Sequence, residues 1–140
     1  MSEEQIINWA GKGCEFGSHT RHHPDLRTLS QNQLEDEVLG SAADLRRILG
    51  VEPASFAYPY GHFNQMVRAC VAKAYRTSVT VVEAICTDQD DPNLMPRILA
   101  WPCENLSRFA RRVKSGRTDS VWKLALRHVP GIRKLRRCLR

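Results

Sequence analysis

Apolar or β-branched runs alternate with helical patterns along the first hundred residues, and that alternation predicts an α/β protein built from parallel βα units. Three observations carry it. Leu34, Val38, Ala42, Leu45 and Leu49 recur at helical spacing, with Ser30-Gln-Asn-Gln33 ahead of them and Gly50 behind. Ser55-Phe-Ala-Tyr58 reads as a strand running into Pro59-Tyr60-Gly61, and Thr77-Ser-Val-Thr-Val-Val82 is rich in β-branched residues that favour a pleated surface. A chain of 140 residues fits one domain with a modest core.

Taken in order, Glu3 to Lys12 reads as a short helix with Ser2 as N-cap, Ile6, Ile7 and Ala10 on one face and Gly13 as the stop. Cys14 to Ser18 is a strand that delivers a histidine cluster at its C-terminal end. Ser30 to Gln33 forms a capping box that opens a helix over 31–49, closed by Gly50. Pro53 ends the connection to the 55–58 strand. Asn64 caps a second helix through Tyr75, with Met66, Cys70 and Ala74 on its buried side. The 77–82 strand follows, then a polar loop with Asp88, Asp90 and Asp91, then a last strand over Arg97-Ile-Leu-Ala-Trp101. In parallel βα units functional groups gather at strand C-termini, where His19 and Tyr60-Gly61 both fall.

The composition, 42% hydrophobic and 26% charged, is that of an ordinary globular chain. No apolar run approaches the roughly 20 residues that span a bilayer, and Met1-Ser-Glu-Glu-Gln lacks the features of a secretory signal. The default expectation is a cytoplasmic location. Cys14, Cys70, Cys86, Cys103 and Cys138 are scattered without a C-x-x-C pair, which fits reduced, mostly buried thiols. The net charge of +6 is unevenly placed: residues 1–105 carry 9 Lys/Arg against 14 Asp/Glu, whereas residues 106–140 carry 12 against Asp119 alone. That boundary divides a body, 1–105, from a basic amphipathic tail, 106–140.

Three of the five histidines lie within His19-Thr20-Arg21-His22-His23. His19 and His23, four apart, converge if the backbone turns there, and paired neutral imidazoles suit a divalent transition metal. A His-rich polar surface turn accounts for the spacing equally well, because two protein ligands do not complete a site.

Three blocks together resemble a known family. Glu15-Phe-Gly-Ser-His-Thr-Arg-His-His-Pro-Asp-Leu26, Phe56-Ala-Tyr-Pro-Tyr-Gly61 and Ala74-Tyr-Arg-Thr-Ser-Val-Thr80 are similar in order and spacing to the polysaccharide deacetylases with a NodB-type domain. The resemblance, over about residues 2–102, implies a distorted (β/α)7 barrel. It also implies a metal-dependent hydrolase, with zinc as the expected cofactor, that removes N- or O-acetyl groups from a carbohydrate with a metal-activated water. On it, His19 and His23 are the metal ligands and Thr20 shapes the ligand loop. Tyr60 and Gly61 line the substrate groove, where a backbone N–H holds the oxyanion. No family role falls to His22, expected as a solvated turn residue, or to His62.

The departures also shape the expectation. The family's Thr-Phe-Asp-Asp type block, which supplies the base aspartate and the third ligand, has no match here, and neither has its late histidine; His128 falls in the tail. Asp25, Asp36, Asp44 and the Asp88–Asp91 loop lack the family context. The chain therefore reads as the C-terminal two-thirds of a deacetylase domain, lacking the first strands. An upstream segment, a second chain or loss of function would each account for it. Such a chain is expected to bind metal weakly and to be weak or inactive alone; the alternative is a non-catalytic carbohydrate- or membrane-associated remnant. Met95-Pro-Arg-Ile98 resembles a Leu-Pro-Arg-Ile stretch of relatives that also carry alanine in the proline-tyrosine block. Arg97 then either replaces a base-orienting arginine missing at Ala57 or flanks a strand on the surface.

In the tail, 106–113 reads as a helix with Leu106, Phe109, Ala110 and Val113 inward. Val121 to Val129 continues the amphipathic pattern up to Pro130-Gly131, and Ile132, Leu135 and Leu139 then alternate with basic residues. Such a segment either packs on the body or lies on an anionic membrane. No nucleic-acid partner is expected, since aromatics are sparse and no docking motif is present.

Overall fold

A computed structural model of the chain describes residues 1–100 and 105–116. Its contacts divide it into two units, Met1–Arg97 and Ile98–Arg140.

The first unit is an α/β arrangement, as the alternation predicts. Helix α1 (Glu3–Gly11) starts in a capping box between Ser2 and Gln5. It buries no residue completely: of the expected apolar face Ile6 and Ala10 are half-buried and Ile7 stays 53% exposed. Helix α2 (Gln31–Leu49) begins at Ser30, whose side chain accepts from Gln33 N–H, and stops at Gly50, as expected. Leu34, Val38 and Ala42 are buried along its stripe, while Leu45 and Leu49 are half-buried. Helix α3 (Gln65–Ala74) is capped by Asn64, which accepts from Val67 N–H. Its buried face is Val67, Cys70 and Val71; Met66, expected inside, is 39% exposed.

Strands β1 (Ser55–Ala57) and β2 (Thr77–Val79) pair in parallel, with Phe56 opposite Ser78. Single parallel bridges continue this sheet on both sides, Ser18 to Phe56 and Val79 to Met95. Four parallel segments thus lie side by side in chain order, and they form a partial sheet that does not close into a barrel among the described residues. The expected strand at Cys14–Ser18 contracts to the one bridge. The last strand, expected over 97–101, is replaced by pairing at Met95; residues 97–100 are irregular and Trp101 lies outside the described residues. Beyond the bridge, Arg97 N–H still donates to Val82 O at 2.8 Å.

The core is Leu26, Leu34, Val38, Phe56, Tyr58, Val67, Val71 and Tyr75, with Phe56 packed against both tyrosine rings. Its polar atoms are satisfied: Tyr75 Oη donates to Val38 O at 2.9 Å and Tyr58 Oη to Asn93 O at 2.9 Å. Burial pushes both phenols up. Of the described cysteines only Cys70 is buried, its thiol also pushed up, whereas Cys14 and Cys86 are exposed.

In the second unit, helix α4 (Leu106–Ser115) runs from an Asn105 cap to Gly116. Leu106, Phe109, Ala110 and Val113, expected inward, are exposed, and Arg112 is the buried residue. The rest of the expected tail, including Val121–Val129, His128 and the 132–139 alternation, lies outside the described residues.

Candidate metal and substrate site

The parallel sheet delivers its functional residues at one edge, because every segment reaches its C-terminus on the same side. Ser18 is locked in register by its N–H to Ser55 O (2.9 Å) and by Ala57 N–H to Ser18 O (2.9 Å). The next residue, His19, turns back so that its Nδ1 lies 2.6 Å from Ala57 O. A carbonyl oxygen only accepts, so Nδ1 carries the proton and Nε2 presents a bare lone pair. This is the tautomer a metal ligand needs, held by a neighbouring carbonyl.

The turn that follows is strained. Thr20 sits at φ 69° and His23 at φ 59°, left-handed values that are uncommon for any side chain and unusual for a β-branched one. Thr20 Oγ1 accepts the His23 N–H at 3.0 Å and closes the turn. Its product is the approach of the two imidazoles, 4.7 Å between ring centroids and nearly perpendicular. Strain of about 1–3 kcal/mol per such residue persists where the surroundings over-determine it, and this loop is over-determined.

The surroundings are carboxylates of α2. Glu37 Oε2 accepts the backbone N–H of both Arg21 and His22 at 2.9 Å, while its Oε1 accepts His22 Nδ1–H at 2.7 Å. Burial opposes the charge on Glu37, but these donors outweigh it and leave the carboxyl below its ordinary range. Arg21 donates through Nε to Asp44 at 2.7 Å and through Nη1 to Asp36 at 2.5 Å, its guanidinium lying over Gly40. A Cβ at Gly40 would stand 2.6 Å from that group. Asp36 and Asp44 thus brace the histidine turn, and His22, expected to be merely solvated, is anchored although its side chain is 75% exposed.

The second wall is the turn after β1. Tyr60 (φ 57°) and Gly61 (φ 71°) are both left-handed. Gly61 N–H is engaged by Tyr58 O and His62 N–H by Pro59 O. Among the described residues Tyr60 N–H meets no backbone acceptor, so it is the donor that this turn can offer to an oxyanion. The Tyr60 ring stands edge-on to His23, 4.6 Å between centroids, and is 56% exposed. Gly61 has a second reason to be glycine: a Cβ there would meet Val81 Cγ2 at 2.4 Å. Val81 belongs to the segment after β2, and Arg97 Nε donates to its neighbour Thr80 O at 2.7 Å. The side chains therefore follow strand order: His19 and His23, then Tyr60 and Gly61, then Thr80 and Val81, then Arg97.

A further cluster joins the two walls. His62 Nδ1 is 3.1 Å from Asp25 Oδ2, and Arg27 Nη2 lies 2.9 Å from the same nitrogen and 2.6 Å from the same carboxylate. The Arg27 guanidinium, then its backbone N–H and the His62 ring, hold Asp25 well below the usual carboxylate range.

Among the described residues, no third His, Cys, Asp or Glu completes a metal-binding group with His19 and His23. The donor set fits a divalent cation in ligand type, and in tautomer at His19, and falls short of it in number. Sequence reasoning missed Glu37 and the Ala57 carbonyl. The first had a legible signal, a glutamate one turn after Leu34 within an apolar stripe, where a charge needs partners.

Residues 1–79, more than half of the chain, match the polysaccharide deacetylase family, and the chain belongs to it. The solved structure of the Streptococcus pyogenes deacetylase PplD in complex with acetate is 25% identical, with a TM-score of 0.76 over 79% of this chain and 50% of that one. Chitin deacetylase 1 of Cryptococcus neoformans is 34% identical over 67 residues, 48% of this chain and 14% of its own length. The uncharacterized Bacillus subtilis protein YlxY is 29% identical over 93 residues, 65% of this chain and 29% of its own length. The chain thus spans under a third of these curated relatives.

Proposed function

We propose that this chain is a polysaccharide deacetylase-like hydrolase that acts on N- or O-acetyl groups of a carbohydrate. The observation that supports the reading is the His19 Nδ1–Ala57 O contact, which leaves His19 Nε2 a bare lone-pair donor beside His23. His19 and His23 would hold a divalent cation, zinc by donor type, and Thr20 keeps their turn closed. Such a cation supplies Lewis acidity and makes water a nucleophile near neutral pH. The chain's own residues do the rest. Tyr60 N–H offers a hydrogen bond to the acetyl oxygen as negative charge develops there, Gly61 lets the turn close on Val81, and the exposed Tyr60 ring lines the carbohydrate groove. Arg97, whose Nε donates to Thr80 O, would orient a base aspartate at that edge if one were supplied.

No carboxylate joins His19 and His23 among the described residues, so low metal affinity and slow turnover are the expected outcome for this chain alone. General-base assistance contributes about 10²–10⁴-fold, and its absence sets the expected deficit. The test is acetate release from an acetylated chito-oligosaccharide with saturating zinc, alongside zinc titration by calorimetry. Slow, zinc-dependent release and measurable zinc binding, both removed by His19→Ala, support the proposal. Zinc binding without acetate release overturns catalysis and leaves a metal-binding carbohydrate module. Zinc binding that survives both His19→Ala and His23→Ala overturns the ligand assignment.

A further inference from the structure

Helix α4 carries Leu106, Phe109, Ala110 and Val113 on one face and Arg108, Arg111, Arg112 and Lys114 around the remainder, with no acidic residue. A surface helix of a globular domain turns its apolar stripe inward. In α4 the stripe faces out: Leu106 is 80% exposed, Val113 46% and Phe109 37%. The buried residue is a cation, Arg112, whose Nη1 donates to Leu99 O at 2.7 Å. The helix is seated by its polar side and presents its apolar side to solvent.

We propose that α4 docks in the plane of an anionic lipid bilayer. This inference does not rest on the deacetylase reading. Ten residues at 1.5 Å each reach about 15 Å, half of a bilayer core, so the helix lies on the membrane and does not cross it. Consistently, no helix among the described residues is long and apolar enough to span. The apolar stripe alone would suit any greasy surface, and the charge selects among them. Residues 106–140 carry 12 Lys/Arg against one Asp, whereas residues 1–105 are net acidic. A helix with a low mean hydropathy, basic flanks and a narrow apolar face is the form that inserts side chains at the headgroup boundary. A nucleic acid would use the charge but leave Leu106 and Val113 in water, since such interfaces rely on phosphate contacts and stacking.

The experiment sediments the full chain with vesicles of phosphatidylcholine alone and of phosphatidylcholine mixed with phosphatidylglycerol, at low and high salt. The bound fraction should rise on the order of tenfold with the anionic lipid and fall with salt. The variant Leu106→Ser/Phe109→Ser/Val113→Ser, checked for an unchanged unfolding midpoint, should stay in the supernatant. If the triple variant does not fold, Phe109→Ser alone serves, with a smaller loss. Equal binding to both vesicles overturns the proposal. So does anionic binding that survives loss of the apolar face, or a preference for single-stranded RNA over the anionic vesicles.

Discussion

Helices α2 and α4 are opened by side chains that accept a first-turn N–H, Ser30 from Gln33 and Asn105 from Arg108, and both are closed by a left-handed glycine, Gly50 and Gly116. Each carries an apolar stripe at helical spacing. In α2 that stripe is buried, with Leu34 and Val38 fully out of solvent, and in α4 it is exposed. Their charges differ too. Helix α2 uses Asp36, Glu37 and Asp44 to hold the histidine turn, whereas α4 has no acid at all. The pair teaches that caps and period make a helix locally, while the direction its stripe faces is set by what it meets. The sharpest way to break the comparison is to remove the burial. Leu34→Ala should destabilise the chain by about 2–5 kcal/mol, read as a lowered urea midpoint at unchanged slope. A loss no larger than that of a surface substitution would mean that α2 does not anchor the core.

The acidic side of α2 gives the next largest effect. Glu37→Ala leaves the Arg21 and His22 amides without their acceptor and should cost about 1–3 kcal/mol. If the turn holds the metal ligands, zinc affinity should fall about 10–100-fold as well. The sign with pH follows from the lowered carboxyl. The charged form is favoured by folding, so the contribution is complete above the unfolded value of about 4.3 and is lost as pH falls through the lower folded value. Acid unfolding of Glu37→Ala should therefore lack part of the steep limb that the parent shows. Coincident acid limbs would remove Glu37 from this role.

Much of this was legible in the sequence where the signal is local. The capping box at Ser30, the stop at Gly50 and the Asn64 cap locate α2 and α3 because each is a contact within three or four residues. The approach of His19 to His23 was legible in their spacing, whereas Tyr60 was marked by the family resemblance and its place at a strand end. Faces and partners were not. Of the α3 stripe that the spacing predicts, Cys70 is buried and Ala74 half-buried, but Met66 is exposed and Val67 and Val71 complete the buried face, since adjacent stripes of one helix differ by a single step around its axis. Apolar composition predicts a strand over 97–101, but a strand extends only as far as a neighbour pairs, and among the described residues the pairing comprises the Met95 bridge and Arg97 N–H on Val82 O. The Asp25–His62 contact spans 37 residues, beyond any local pattern. The capping signal has a direct check: Ser30→Ala should cost about 1 kcal/mol, and Ser30→Asp should restore most of it. No loss in the alanine variant would shift the start of α2 from the cap to its packing.

The smallest expected effect is the counterpart of the first. Leu106 occupies the apolar stripe of α4 as Leu34 does that of α2, yet it is 80% exposed, so truncation removes little buried surface. Leu106→Ala should move the urea midpoint by no more than about 0.5 kcal/mol. The same change should weaken sedimentation with anionic vesicles, because the side chain that contributes nothing in water is the one available to lipid. Stability and binding thus separate at this residue and would not separate at Leu34. A loss approaching that of Leu34→Ala would show that the α4 stripe is covered by protein in solution, and α4 would then repeat α2 instead of contrasting with it.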